Sequence, residues 1–188
     1  MKTYLPLLCL LVFASCENDG DEKGMTKTEP QPPPSVNYDL NNDAINDFTI
    51  SYSMFVWDGI NSSGFGYSGT IKPLNENLLL GKRDAQLSML TLFSRFNNTI
   101  SKEVSTPFEW NSYQTTLVSI TGSANNTWPG EWTIQSDTAL DFYYLGVKMK
   151  ENDHFLTGWI KLEINKATGE IKIVNKKLTP NDSIVIDE

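Results

Sequence analysis

The sequence is poor in the residues from which most catalytic centres are assembled. It contains one histidine, His154, and two cysteines, Cys9 and Cys16, both within the first sixteen positions. His154 has no partner at a spacing that suggests a Ser-His-Asp relay, and no cysteine follows Cys16 to form a Cys-His pair. There is no apolar run of bilayer length either. Tyr4 to Phe13 is a ten-residue segment, about half of the ~20 residues a spanning helix needs. Basic residues are also scarce, 15 against 23 acidic ones, for a formal charge of −8. Such a surface repels nucleic acid and anionic head groups, so a nucleic-acid partner is excluded. No internal repeat is present.

What remains is enough for one folded unit. The 188 residues, 39% apolar, can bury a real core but are too few to expect two. The chain starts with the basic head Met1-Lys2-Thr3, continues through the apolar Tyr4 to Phe13, and reaches small residues at Ala14-Ser15 before Cys16. That is the layout of an export signal. It resembles a bacterial lipoprotein signal over these sixteen residues, with Phe13 where the family usually has leucine. The resemblance implies removal of residues 1–15, acylation of Cys16 and stable lipid anchoring. An ordinary secretory signal with an incidental Cys16 is the alternative. Once Cys9 is removed and Cys16 is lipidated, no disulfide can form, so packing or a metal must hold the exported domain. Loss of Lys2 leaves 14 basic and 23 acidic residues, a formal −9.

Residues 16–37 carry acids, lysines, glycines and prolines with almost nothing apolar. This composition predicts a disordered tether ahead of a domain at 38–188. Glu17, Asp19, Asp21 and Glu22 resemble the acidic tag that sends lipoproteins of gut and oral commensals to the outer face of the outer membrane. They also fit a plain solvated spacer.

The strongest pattern is Tyr143 to Asn175. Tyr143, Leu145, Val147 and Met149 form an apolar face that alternates with a largely polar one of Tyr144, Gly146, Lys148 and Lys150, and Leu156, Gly158, Ile160, Leu162 and Ile164 alternate with Thr157, Trp159, Lys161 and Glu163. Apolar faces coincide only if paired numbers sum to an odd value, and 305 fits best. That register leaves Glu151 to His154 as a loop and sets Trp159 opposite Gly146, where an indole can cover the missing side chain. Pairing Ile164 with Ile171 leaves Lys166 to Gly169 as the next loop, with Gly169 at positive φ.

Upstream, Phe48 to Met54, Gly66 to Leu74, Leu78 to Leu80, Thr115 to Thr121 and Glu131 to Gln135 read as strands, and Ser183 to Ile186 closes the chain. Asp84 to Phe96 reads as a helix capped by Asp84, with Ala85, Met89, Leu92 and Phe96 on one face; alternation in Gln86 to Met89 leaves a strand open. The fold expected is an all-β, jelly-roll-like antiparallel β-sandwich with at most one short helix, ending in a three-stranded meander. The segments DLNNDAINDFTISY, YYLGVKMK and TGWIKLEI resemble those of secreted bacterial domains of unassigned function. That resemblance implies a β-sandwich and no activity.

Four groups of residues could carry chemistry. Asp39, Asn41, Asp43 and Asp47, with the carbonyl of Ile45, occupy alternate positions of one loop, and oxygen ligands so spaced suit calcium. The pattern resembles EF-hand and thrombospondin type 3 loops, with Ala44 where the turn wants glycine and Ile50 where an EF-hand has glutamate. An Asx-rich turn is the alternative. Trp128-Pro129-Gly130-Glu131-Trp132 sets a carboxylate between two indoles, suited to stacking on sugar. A glycosidase there needs a second carboxylate, Asp137 or Asp141; packing is the alternative role of both tryptophans. Asp137-Thr138-Ala139 and Asp182-Ser183-Ile184 resemble the acceptor triplet of bacterial O-glycosylation, at Thr138 and Ser183. The resulting expectation is a lipid-anchored surface module that binds a glycan or protein without catalysis, with a glycan-processing enzyme using Glu131 and a structural envelope protein as alternatives.

Overall fold

The computed structural model describes residues 25–26, 28–59, 62–83, 89–91, 93–95, 97–123, 125, 127–136, 140 and 142–187. In chain order the strands are β1 (Met25–Thr26), β2 (Val36–Tyr38), β3 (Phe48–Gly59), β4 (Ser62–Pro73), β5 (Leu78–Arg83), β6 (Met89–Thr91), β7 (Phe93–Ser94) and β8 (Thr99–Ser101). They continue as β9 (Phe108–Asn111), β10 (Thr115–Thr121), β11 (Trp128–Pro129), β12 (Thr133–Ile134), β13 (Tyr143–Glu151), β14 (His154–Ile164), β15 (Ile171–Thr179) and β16 (Ser183–Val185). No helix occurs among the described residues.

Two antiparallel sheets pack face to face. The smaller runs β12-β10-β4-β3-β2, and the larger β15-β14-β13-β5-β6, with β7 added to β13 and β9 to β5. Between them lies a core that includes Phe48, Ile50 and Ile71 from the smaller sheet and Leu145, Val147, Met149, Ile160 and Leu162 from the larger. These are the alternate positions that parity assigns to one face.

The meander has the register derived from parity. Tyr143 pairs with Leu162 and Gly146 with Trp159, Ile164 pairs with Ile171, and Gly169 adopts φ 76°. The first loop is tighter than expected. Glu151 pairs with His154, so the turn is Asn152-Asp153, with Asn152 at φ 51°. A bulge at Lys161 and Leu162, whose partners are Asn175 and Ile173, leaves Val174 as the extra residue.

Three expectations need correction. The second face of β13 is not polar: Tyr144, Leu80 and Trp159 join Ile100, Ile184 and Ile186 in a second core. The ribbon of β8 and β16 supplies it, so β13 is buried on both sides from Tyr143 to Met149. Trp159 and Gly146 do pair, but the atoms nearest to a Cβ on Gly146 are Leu80 Cβ at 2.9 Å, Leu80 Cδ2 at 3.1 Å and Ile100 Cγ2 at 3.3 Å. In place of the helix expected over Asp84 to Phe96, β6 pairs with Gly81–Arg83 and β7 with Tyr144 and Leu145; residues 84–88, 92 and 96 lie outside the described residues. The ladder partners on β5 and β13 outweigh a weak local propensity.

The expected tether contributes to the fold as well. Met25 and Thr26 pair with Pro129 and Trp128, the Tyr67 hydroxyl donates to the Glu29 carboxylate, and β2 already begins at Val36. Residues 16–24 lie outside the described residues. The pairing of β3 with β4 continues to Gly59 and Ser62, past the last residue that β10 pairs with β4, Gly66. There Trp57 covers Gly64 and Phe55 covers Gly66, while Met54 and Val56 stay 60% and 72% exposed.

Candidate functional site

The Asp-rich loop folds around the carboxylate of Asp39. Its Oδ1 accepts from the amides of Asn42 at 2.7 Å and Asp43 at 3.2 Å, and its Oδ2 from Ala44 at 2.8 Å. Asp43 Oδ1 accepts from the Ile45 amide at 2.8 Å, and Asn41 Nδ2 donates to Asp43 Oδ2 at 2.9 Å. This winding requires left-handed backbone at Ala44, whose φ is 69°, which is why the position favours glycine.

Asp47 has a different task. It is buried, and its Oδ2 accepts from the Leu40 amide at 2.7 Å while its Oδ1 accepts from Asn77 Nδ2 at 2.9 Å. Asn77 Oδ1 in turn accepts from the Lys150 amide at 2.7 Å. The chain Asp47–Asn77–Lys150 thus ties the loop to β13 of the opposite sheet. Asp39, Asn41, Asp43 and the Ile45 carbonyl remain oxygen-rich and suit calcium by chemistry. Among the described residues, however, no three His, Cys, Asp or Glu side chains are gathered to share an ion, so the loop as folded fits calcium only in part.

The two tryptophans flanking Glu131 are both inward. Trp128 is 1% exposed, stacked on Tyr67 at 5.9 Å and edge-on to Phe65 at 5.0 Å. It is therefore no exposed platform, and its ring takes the packing role rather than the stacking one. Trp132 packs against Gly169 and meets Tyr52 edge-on at 6.2 Å. Its amide donates to the Lys166 carbonyl at 2.7 Å, fastening the segment to the β14–β15 turn. Beside it is a pocket of about 340 Å³ lined by Glu131, Trp132, Thr133, Ser136, Tyr143 and Lys166, among others. Glu131 and Lys166 are exposed there. Asp137 and Asp141 lie outside the described residues, as do Cys16 and Thr138. Ser183 is exposed on β16, and His154 is exposed, 3.4 Å from Glu151.

A second pocket, of about 360 Å³ and unsignalled by any motif, lies between the free edges of the two sheets. Pro33, Pro34, Tyr38, Tyr52 and the start of β15 line it. The Tyr52 hydroxyl donates to the Gly169 carbonyl at 3.0 Å and accepts from the Ile171 amide at 3.1 Å, and Tyr38 accepts from the Ile173 amide at 3.3 Å. Burial pushes the Tyr52 hydroxyl up to about 12. Period-two spacing of tyrosines marks the strand face, but not which backbone their hydroxyls reach.

No protein-family model matches the chain, and no curated protein or solved structure matches it either.

Proposed function

We propose that the protein is a lipid-anchored module of the outer-membrane surface that binds a polyhydroxylated ligand, a glycan, in the pocket beside Glu131. The observation that supports this reading is the lining of that pocket, in which a carboxylate, an ammonium and two hydroxyls (Glu131, Lys166, Thr133 and Ser136) surround Trp132 and Tyr143. A carboxylate and hydroxyls accept and donate to sugar hydroxyls, and the buried rings of Trp132 and Tyr143 form the floor beneath them. The anchor through Cys16 and the acidic segment behind it would hold the domain where such ligands occur. Calcium is proposed as a structural ion of the Asp39–Asp47 loop, remote from any chemistry.

A glycan-array screen of the soluble domain tests the reading. A hit should lose at least tenfold in affinity on Glu131→Gln with the melting temperature unchanged; equal affinity of the variant would move binding away from this pocket. Glycan cleavage needs a second carboxylate. Release of reducing ends by the wild type, lost in Asp137→Asn or Asp141→Asn, would replace binding by hydrolysis.

A further inference from the structure

Two sheet edges of this fold are finished in opposite ways. On the larger sheet the free side of β15 is blunted: the Tyr52 and Tyr38 hydroxyls accept from its Ile171 and Ile173 amides, a bulge leaves Val174 as an extra residue, and Lys172, Lys176 and Lys177 lie along it. Such devices keep an edge from pairing with another chain. On the smaller sheet β3 has none of them. The strand β2 covers β3 only from Phe48 to Ile50, since Pro32, Pro33 and Pro34 precede it and have no amide to donate to a ladder. From Ser51 to Gly59, among the described residues, β3 is paired on one side only, to β4, in a register without a bulge.

Composition singles out the same stretch. A fifth of the chain is charged, yet between Thr49 and Ile71 Asp58 is the single charged residue. Val56 is the most exposed large apolar side chain among the described residues, and Met54 is exposed beside it on the same face. On the opposite face Phe55 and Trp57 lie over Gly66 and Gly64, with their rings 6.2 Å apart. The two rings brace an arm that would be marginal as a bare two-stranded ribbon. Few charges together with methionine and aromatic rings make the composition of an interface core, and a flat, uncapped edge is a template for one more strand.

We propose that this edge pairs with the same edge of a second copy of the chain, β3 antiparallel to β3, in a two-fold dimer. Charge favours that partner. The chain carries a formal −8, so two copies repel over most of their surface and can approach without penalty where neither is charged. The geometry of the edge agrees. In an antiparallel two-fold pair the faces coincide only if paired numbers sum to an even value, and overlap of the whole edge from Ser51 to Gly59 puts Phe55 on the axis. Met54 then lies opposite Val56 of the second copy, and Asp58 opposite its Tyr52, which keeps the two carboxylates apart. Ile50, where pairing with β2 begins, falls just outside the overlap. A strand pair of this length buries roughly 1,000 Å² in total, the low end for a specific interface, so the dimer is reversible.

Sedimentation of the full chain in detergent, over a concentration series, tests the proposal. Wild type should pass from monomer to dimer. Val56→Lys should weaken association at least tenfold with the melting temperature unchanged, because Val56 is 72% exposed and a lysine on an edge resists pairing. Val174→Lys, on the blunted edge of β15, should leave association within twofold of wild type. The register is read from Met54→Cys and Val56→Cys chains in which Cys9 and Cys16 are changed to serine. Directly opposed positions are closer than diagonal ones, so copper-catalysed oxidation by oxygen should cross-link a mixture of the two chains faster than either alone. A chain monomeric at every concentration, open-ended assemblies in place of a dimer, a dimer that Val56→Lys leaves intact or Val174→Lys weakens equally, or equal cross-linking in all three samples would overturn the proposal.

Discussion

Tyr52 of the smaller sheet accepts a hydrogen bond from the Ile171 amide of the larger sheet at 3.1 Å, so one side chain closes the gap between two sheet edges. Without it, the first amide of β15 and the Gly169 carbonyl would each lose a partner. Tyr52→Phe should destabilise the domain by about 1–3 kcal/mol, the range for leaving a partly buried backbone group unpaired. Denaturant melts check this, and a loss within experimental error would mean that water replaces the hydroxyl freely.

The same hydroxyl sets a pH response. Its folded pKa is raised to about 12 from an ordinary 10, so the unfolded chain gives up the proton first. The stabilisation is complete below pH 10 and is lost as pH rises from there through 12. The difference in stability between wild type and Tyr52→Phe should shrink across that window, whereas a constant difference would show that the proton is not what Tyr52 contributes.

Gly146 has no room for a side chain, because an added Cβ would sit 2.9 Å from Leu80 Cβ. Gly146→Ala should therefore cost about 1–3 kcal/mol by overpacking. Trp159→Ala, which empties a site 1% exposed, should cost about 3–5 kcal/mol. Thermal melts of both variants decide whether the second core contributes as much as its packing implies; two wild-type melting temperatures would refute that.

Much of this was legible and some of it was not, for physical reasons. Side chains of a strand alternate with period two, so the faces and register of β13, β14 and β15 followed from residue numbers alone. Nothing in that alternation says whether the second face is wet. The ribbon that dries it consists of three residues at Thr99–Ser101 and three at Ser183–Val185, too short to carry a period. Burial of Trp128 was hidden in the same way, since part of its surroundings comes from Met25–Thr26, about a hundred residues upstream in a segment that reads as tether. In the Asp39–Asp47 loop the turn at Ala44 was readable. The capture of Asp47 by Asn77 was not, because it joins residues thirty positions apart.

Ala44 holds a side chain at φ 69°, where left-handed backbone costs roughly 1–2 kcal/mol. Ala44→Gly should raise the stability by about 1 kcal/mol in chelator alone. Calcium should raise the melting temperature further, by an amount equivalent to about 2.7 kcal/mol at a hundredfold excess over the dissociation constant. That constant is expected near the millimolar range of extracellular modules. Identical melts in chelator and in several millimolar calcium, for wild type and Asp43→Ala alike, would leave the loop as a turn only.

Cys16→Ser should release the exported protein from membranes into the soluble fraction, checked by fractionation and by loss of a metabolically incorporated acyl label. Retention of the variant in membranes after normal export would place the anchor elsewhere.

Burial of β13 on both sides has a consequence for how the chain can assemble. One core needs Leu145, Val147 and Met149 from it, and the other needs Tyr144 together with Trp159, Ile184 and Ile186. Neither core can close until residues beyond 142 are available, and the second waits for the last strand. On the proposed export route, a chain emerging N-terminus first would cross as an open thread, with its native contacts postponed until the C-terminal segment arrives. Deleting β16 should then leave a chain that never consolidates, seen as faster proteolysis than that of the full chain.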